Sequence, residues 1–131
     1  MEDTIVVDTD ILVDLLRNNS NIIDWFNKNE NNFVFATTII NIFELYVGAY
    51  KSQNKEKVLK DIDDIIKRFV ILDLTIPCSE VAGKQRANLE KNGISIESRD
   101  ILIGSIAVSN NLPLKTNNKK HFSRIEGLKL I

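Results

Sequence analysis

The chain has one cysteine and one histidine in 131 residues. Cys78 alone cannot close an internal disulfide, and a structural zinc site built from several cysteines is excluded. That composition fits a reducing compartment, and the expected location is the cytoplasm. No apolar run approaches the ~18 residues of a membrane span. The first residues carry Glu2 and Asp3, where a secretory leader would be basic. There is no internal repeat, no low-complexity linker and no glycine-rich phosphate loop. A net charge of −1 and a pI near 5.8 give no overall signature of nucleic-acid binding.

What is present fits one domain over residues 1–131. A chain of this length buries roughly two-thirds of its unfolded surface, and its 44% hydrophobic and 27% charged residues are those of a globular protein. The near-neutral average conceals a polarity along the sequence. Residues 1–44 hold eight acids against Arg17 and Lys28, whereas residues 112–131 hold Lys115, Lys119, Lys120, Arg124 and Lys129 against Glu126 alone. Where the two ends meet, an acidic centre would be rimmed by basic side chains. Metal ions suit the first and phosphates the second. Ordinary solvated charge is the competing reading.

The stretch 5–16, IVVDTDILVDLL, organises the rest. Ile5, Val6 and Val7 read as a short strand buried on both faces. From Asp10 onward, Ile11, Leu12, Leu15 and Leu16 fall at helical spacing, so a strand passes directly into a helix with Asp8 at the junction. Further strands are expected at 33–36, 69–72, 112–115 and 128–131. Helices are expected between them, one with its apolar face on Ile39, Ile42, Phe43, Tyr46, Val47 and Tyr50, one over 55–68, one from Ile76 to about Asn92 ended by Gly93, and one capped by Ser98. Strands separated by helices imply right-handed crossovers, hence an α/β fold with a mostly parallel central sheet covered on both faces.

Parallel strands share one carboxyl edge, and open α/β sheets bind ligands there. Topology sends Asp8 to that edge, together with Asp100 in the first turn of the helix after Ser98, Glu44 in the helix after 33–36, and Thr116, Asn117 and Asn118 in the turn after Leu114. Each has a plainer reading: a helix cap or dipole partner for Asp100 and Asp10, a solvated face for Glu44. Three clustered carboxylates raise one another's pKa values and favour a divalent cation among them. Hard oxygen ligands suit Mg²⁺ or Mn²⁺, and no Cys/His set has zinc-like spacing. Such sites act on phosphodiesters.

Four segments in order, VVDTDILVDLL, TTIINIFELYVGA, ESRDILIGSIAVSNNL and LKTNNKKHF, span essentially the whole chain. Together they resemble the PIN-domain nucleases, and most closely the VapC-type ribonuclease toxins of toxin–antitoxin pairs. The resemblance implies a three-layer α/β/α sandwich, Mg²⁺- or Mn²⁺-dependent endoribonuclease activity, an RNA substrate, a VapB-like antitoxin partner and a homodimer. Asp8, Glu44 and Asp100 match the family's three acids and are the expected metal site. Asn118 falls at the fourth acidic position and Thr116 at the usual hydroxyl position. Lys115, Lys119, Lys120 and Arg124 are candidates for RNA phosphates, and His121 is either a proton carrier or a surface residue. Trp25, Phe43, Tyr46 and Tyr50 are shared between core and partner surface. Two other functions stay open at this point: RNA maturation or decay without a toxin role, and a catalytically inactive RNA- or protein-binding module.

Overall fold

A computed structural model describes residues 3–131; Glu2, counted among the amino-terminal acids, lies outside them. In chain order the elements are β1 (Thr4–Val7), α1 (Thr9–Leu16), α2 (Ser20–Asn29), β2 (Val34–Thr38), α3 (Ile39–Lys51), α4 (Lys55–Arg68), β3 (Val70–Leu72), α5 (Ile76–Lys91), α6 (Ser98–Ser109), β4 (Leu114–Lys115) and α7 (Lys119–Phe122). The four strands form one parallel sheet in the order β3-β2-β1-β4. β1 is central, with Ile5 opposite Phe35 on one side and Val7 opposite Lys115 on the other.

The strand expected at 128–131 is reduced to an isolated parallel bridge between Leu114 and Leu130. The one expected at 112–115 begins only at Leu114, because the Leu112 N–H closes the end of α6 on the Ala107 carbonyl at 3.0 Å. Gly93 ends α5 as anticipated. Its φ of +69° places it in the left-handed region, and the N–H groups of Gly93 and Ile94 reach back to Glu90 and Leu89. Ser98 is not a cap: Glu97 occupies that position, and Ser98 is the first helical residue, accepting a 2.7 Å bond from Arg86 Nη2.

Alternation along β1 divides the interior. Ile5 and Val7 face a core with Ile11, Leu12, Phe26, Ile42, Leu45, Ile62 and Ile65, drawn from α1 to α4. Val6 faces the other way, against Ile103, Ala107, Leu114, Phe122 and Ile125 from the α6 and α7 side. α5 is held to α6 by a smaller cluster of Ala82, Leu89, Ile96 and Ile101. The result is helices, sheet and helices in three layers.

α3 is rotated from the expected face. It buries Asn41, Ile42, Leu45 and Ala49, while Phe43 is 58% and Tyr50 67% exposed, with Ile39 and Val47 also outward. The cause is polar. Thr38 caps the helix by accepting from the N–H groups of Ile40 and Asn41, and the Asn41 amide is tied to residues 8 and 9, fixing the helix about its axis.

From β1 the chain steps to β2 and then β3 in one direction, and returns through α5 and α6 to β4 on the opposite side of β1. Connections therefore diverge between β1 and β4, opening a crevice at their carboxyl ends. Among the described residues, no helix is long and apolar enough to cross a membrane.

Candidate active site

Asp8 sits at that crevice, directly after β1 and as the N-cap of α1. Only 7% exposed, it is held on three sides. Its Oδ1 accepts from the Thr9 N–H at 2.8 Å and from Asn41 Nδ2 at 3.1 Å, and its Oδ2 accepts from the Thr116 hydroxyl at 2.7 Å. Burial pushes its pKa upward; the hydrogen bonds from Thr116 and Thr9 oppose the shift, and the charges of Glu44 and Asp100 add to it. A carboxylate offers about four acceptor directions, so one direction on Oδ2 remains for a further partner.

Glu44 is reached through a relay. Asn41 Nδ2 donates to Thr9 Oγ1 at 2.9 Å, and that hydroxyl donates to Glu44 Oε1 at 2.7 Å. The second oxygen, Oε2, faces Arg99 Nη1 at 3.1 Å. Glu44 is therefore a positioned, largely buried side chain, not a solvated one.

Asp100 lies in the first turn of α6 and is half-buried. Burial raises its pKa, the Glu97 charge adds to the shift, and His121 and Arg99 oppose it. His121 Nδ1 is 3.8 Å from Asp100 Oδ2 and 3.1 Å from Asn118 Nδ2. The Asn118 N–H donates to Thr116 Oγ1 at 3.0 Å, so the 116–118 turn is fastened to Asp8 through Thr116.

Asp10 has a different task. Its Oδ1 accepts from the Ile11 N–H and its Oδ2 from the Asn117 N–H at 2.9 Å, so both oxygens clamp backbone and α1 is pinned to the same turn. Of the basic candidates, Lys119, Lys120 and Arg124 are exposed. Lys115 instead lies over the Trp25 ring, 5.1 Å from its centroid, on the α2 side of the sheet.

The donor set suits a hard cation. Its charged members, Asp8, Glu44 and Asp100, are hard carboxylate oxygens near enough to feel one another's charge, and the buried Asp8 charge is disfavoured without a counter-ion. Among the described residues, however, no three His, Cys, Asp or Glu side chains form a ready-made ion cage. Both Glu44 oxygens are engaged, Oε1 by Thr9 and Oε2 by Arg99.

Residues 5–128 match the family model for the PIN domain. A "Ribonuclease VapC2" of Rickettsia felis is 36% identical over 99 residues, covering 76% of this chain and 73% of that protein. The chain belongs to the PIN-domain family. Within it, the chain groups with the VapC ribonucleases. A "tRNA(fMet)-specific endonuclease VapC" of Shigella flexneri is 30% identical over 125 residues, covering 95% of this chain and 93% of that one. The crystal structure of VapBC2 from Rickettsia felis, bound to a promoter DNA fragment, superposes with a TM-score of 0.91 at 31% identity, covering 98% of this chain and 97% of the other.

The PIN-like α/β architecture and the nuclease assignment expected from the sequence are thus borne out. The PIN crevice also contains residues that the sequence reading passed over. Thr9 and Asn41 orient both Asp8 and Glu44, while Glu97 and Arg99 flank Asp100. Asn41 carried a signal, being a polar residue three positions after a Thr cap on a largely apolar helix. Arg99 carried none beyond its adjacency to Asp100.

Proposed function

We propose that this PIN domain, one unit over residues 1–131, is a cytoplasmic Mg²⁺- or Mn²⁺-dependent endoribonuclease acting as the toxin of a toxin–antitoxin pair. The observation that carries the reading is the buried Asp8 carboxylate at the β1–β4 crevice, held by Thr9, Asn41 and Thr116 with one acceptor direction open and within range of the Glu44 and Asp100 charges. Asp8 and Asp100 are assigned as metal ligands, with Glu44 beside them. A divalent cation bound there supplies Lewis acidity at the scissile phosphate and lowers the pKa of the attacking water.

The chain's own residues do the positioning. Thr116 and Asn41 fix the two oxygens of Asp8, and Thr9 holds Glu44 by Oε1; its Oε2, paired with Arg99, takes a proton from the attacking water only once that guanidinium has withdrawn. Asn118 and His121 buttress Asp100. Exposed Lys119 and Lys120 on α7 and Arg124 just after it contact RNA phosphates on the same rim. Lys115, stacked on Trp25, binds phosphate only at the margin of that surface.

A groove of about 410 Å³ runs between α1, α3 and α4 from Thr9 and Glu44 past Val13, Leu16, Leu45 and Val58. It suits an amphipathic segment of a VapB-like antitoxin, whose basic side chain at the rim would neutralise the carboxylates. The outward stripe of Ile39, Phe43, Val47 and Tyr50 on α3 suits the homodimer contact. Purified protein should cleave RNA with added Mn²⁺ and not with EDTA, and its expression should arrest growth until a small antitoxin is co-expressed. RNA cleavage without growth arrest would favour a decay or maturation nuclease. Mn²⁺ silence with intact RNA binding would favour an inactive binding module.

A further inference from the structure

The strongest unassigned feature beside the crevice is the guanidinium of Arg99. Its Nη1 lies 3.1 Å from Glu44 Oε2, and its Nη2 is hydrogen-bonded to Glu97 Oε2. The two acids it bridges come from different elements, Glu44 from the middle of α3 and Glu97 from the cap of α6. The partners are unequal. The Glu44 side chain is 17% exposed and fixed at Oε1 by Thr9, whereas the Arg99 side chain is 52% exposed and hinged on the first turn of α6. In such a pair the exposed arm moves and the buried carboxylate stays.

We infer that Arg99 is a positioning residue that acts through Glu44: its guanidinium occupies the cation position on Oε2, and it must release Glu44 before that oxygen can serve a bound metal or a water. This rests on the metal-site reading given above. The inference accounts for why both oxygens of a largely buried glutamate are engaged, one by a fixed hydroxyl and the other by an exposed, movable guanidinium. Because an exposed ion pair is weak, the parked guanidinium lowers metal affinity without abolishing it. Its charge also partly offsets Asp100, one residue away.

The test is Mn²⁺ binding by calorimetry, without RNA, on the wild type, R99Q, R99M and R99K, with D8N as control. Removing one positive charge at this range should tighten Mn²⁺ binding ~3–10-fold in both neutral variants. R99K, which keeps the charge, should return to within about twofold of the wild type. Equal or weaker binding in R99Q and R99M, or R99K binding as tightly as they do, overturns the role of Arg99 while leaving the metal site standing. Absence of Mn²⁺ binding in the wild type and in all three Arg99 variants overturns the metal site itself and the inference with it.

Discussion

Replacing Asp8 with Asn should stabilise the metal-free protein while abolishing its activity. Asn is as good an N-cap as Asp. Its carbonyl can keep the bonds from the Thr9 N–H and Asn41 Nδ2, and its amide can donate to Thr116 Oγ1 in place of accepting from it. The substitution removes a buried charge whose removal is worth about 1–3 kcal/mol on the scale of such groups. Reversing the Thr116 bond costs up to about 1 kcal/mol, since that hydroxyl already accepts from the Asn118 N–H. The net gain is about 0–3 kcal/mol, centred on ~1.5 kcal/mol or roughly 5 °C in Tm for a chain of this size.

Urea unfolding in EDTA reads the gain, and the same titration in Mn²⁺ should reverse the order. At a hundredfold excess over Kd, bound metal adds about 2.7 kcal/mol to the wild type and little to D8N. The pH dependence follows from the sign of the shift. A carboxyl whose folded pKa is raised penalises the folded state at higher pH, and the penalty fades as pH falls through the raised value toward the ordinary 3.8. The advantage of D8N in EDTA should therefore shrink across that window. A D8N protein less stable than the wild type in EDTA at pH 7, with no reversal in Mn²⁺, would refute the reasoning and leave Asp8 as a structural cap.

Asn41→Leu removes the amide that links Thr38, Thr9 and Asp8 inside a fully buried position; it should cost about 2–4 kcal/mol in denaturant unfolding and reduce cleavage in the fraction that stays folded. Thr116→Val keeps the shape but withdraws the hydroxyl from Asp8 Oδ2, so cleavage should fall at least about tenfold for a stability loss of about 1–2 kcal/mol. Lys119→Ala and Lys120→Ala should weaken binding of a non-cleavable RNA and each lower the slope of log K against log salt by about 0.7, leaving stability unchanged. Asn118→Asp adds a carboxylate beside Asp100 and should tighten Mn²⁺ in calorimetry; weaker binding would place Asn118 outside the ion's reach.

The inner strands of the sheet were legible because their signals are local, whereas 128–131 reads as a strand in sequence and forms only a single bridge. The run Ile5, Val6 and Val7 ending at Asp8 reads as a buried strand closing on a carboxylate, and α4 announces its boundaries by a charged face against Val58, Leu59, Ile62 and Ile65. Topology then carried Asp8, Glu44 and Asp100 to one edge without any side-chain detail. The rotation of α3 was not legible. Its hydrophobic residues run almost all round the helix, so periodicity cannot choose a face, and the choice is made by the single buried amide of Asn41 bonded to residues more than thirty positions away. Ser98 misled for a related reason: as the first residue after the cap, its hydroxyl is taken by Arg86, ten residues before Ile96 in the chain and brought near only by packing of α5 on α6. Arg99 likewise declares its role through Glu44, a partner that sequence spacing cannot supply.

Crystals soaked in Mn²⁺ and measured at the manganese absorption edge test the central claim most directly. The account predicts an anomalous peak within coordination distance of Asp8 Oδ2 and the Asp100 carboxylate, with Arg99 drawn off Glu44, and no peak in D8N. A saturating soak that leaves the crevice empty, or places manganese only on surface acids remote from β1 and β4, would contradict it.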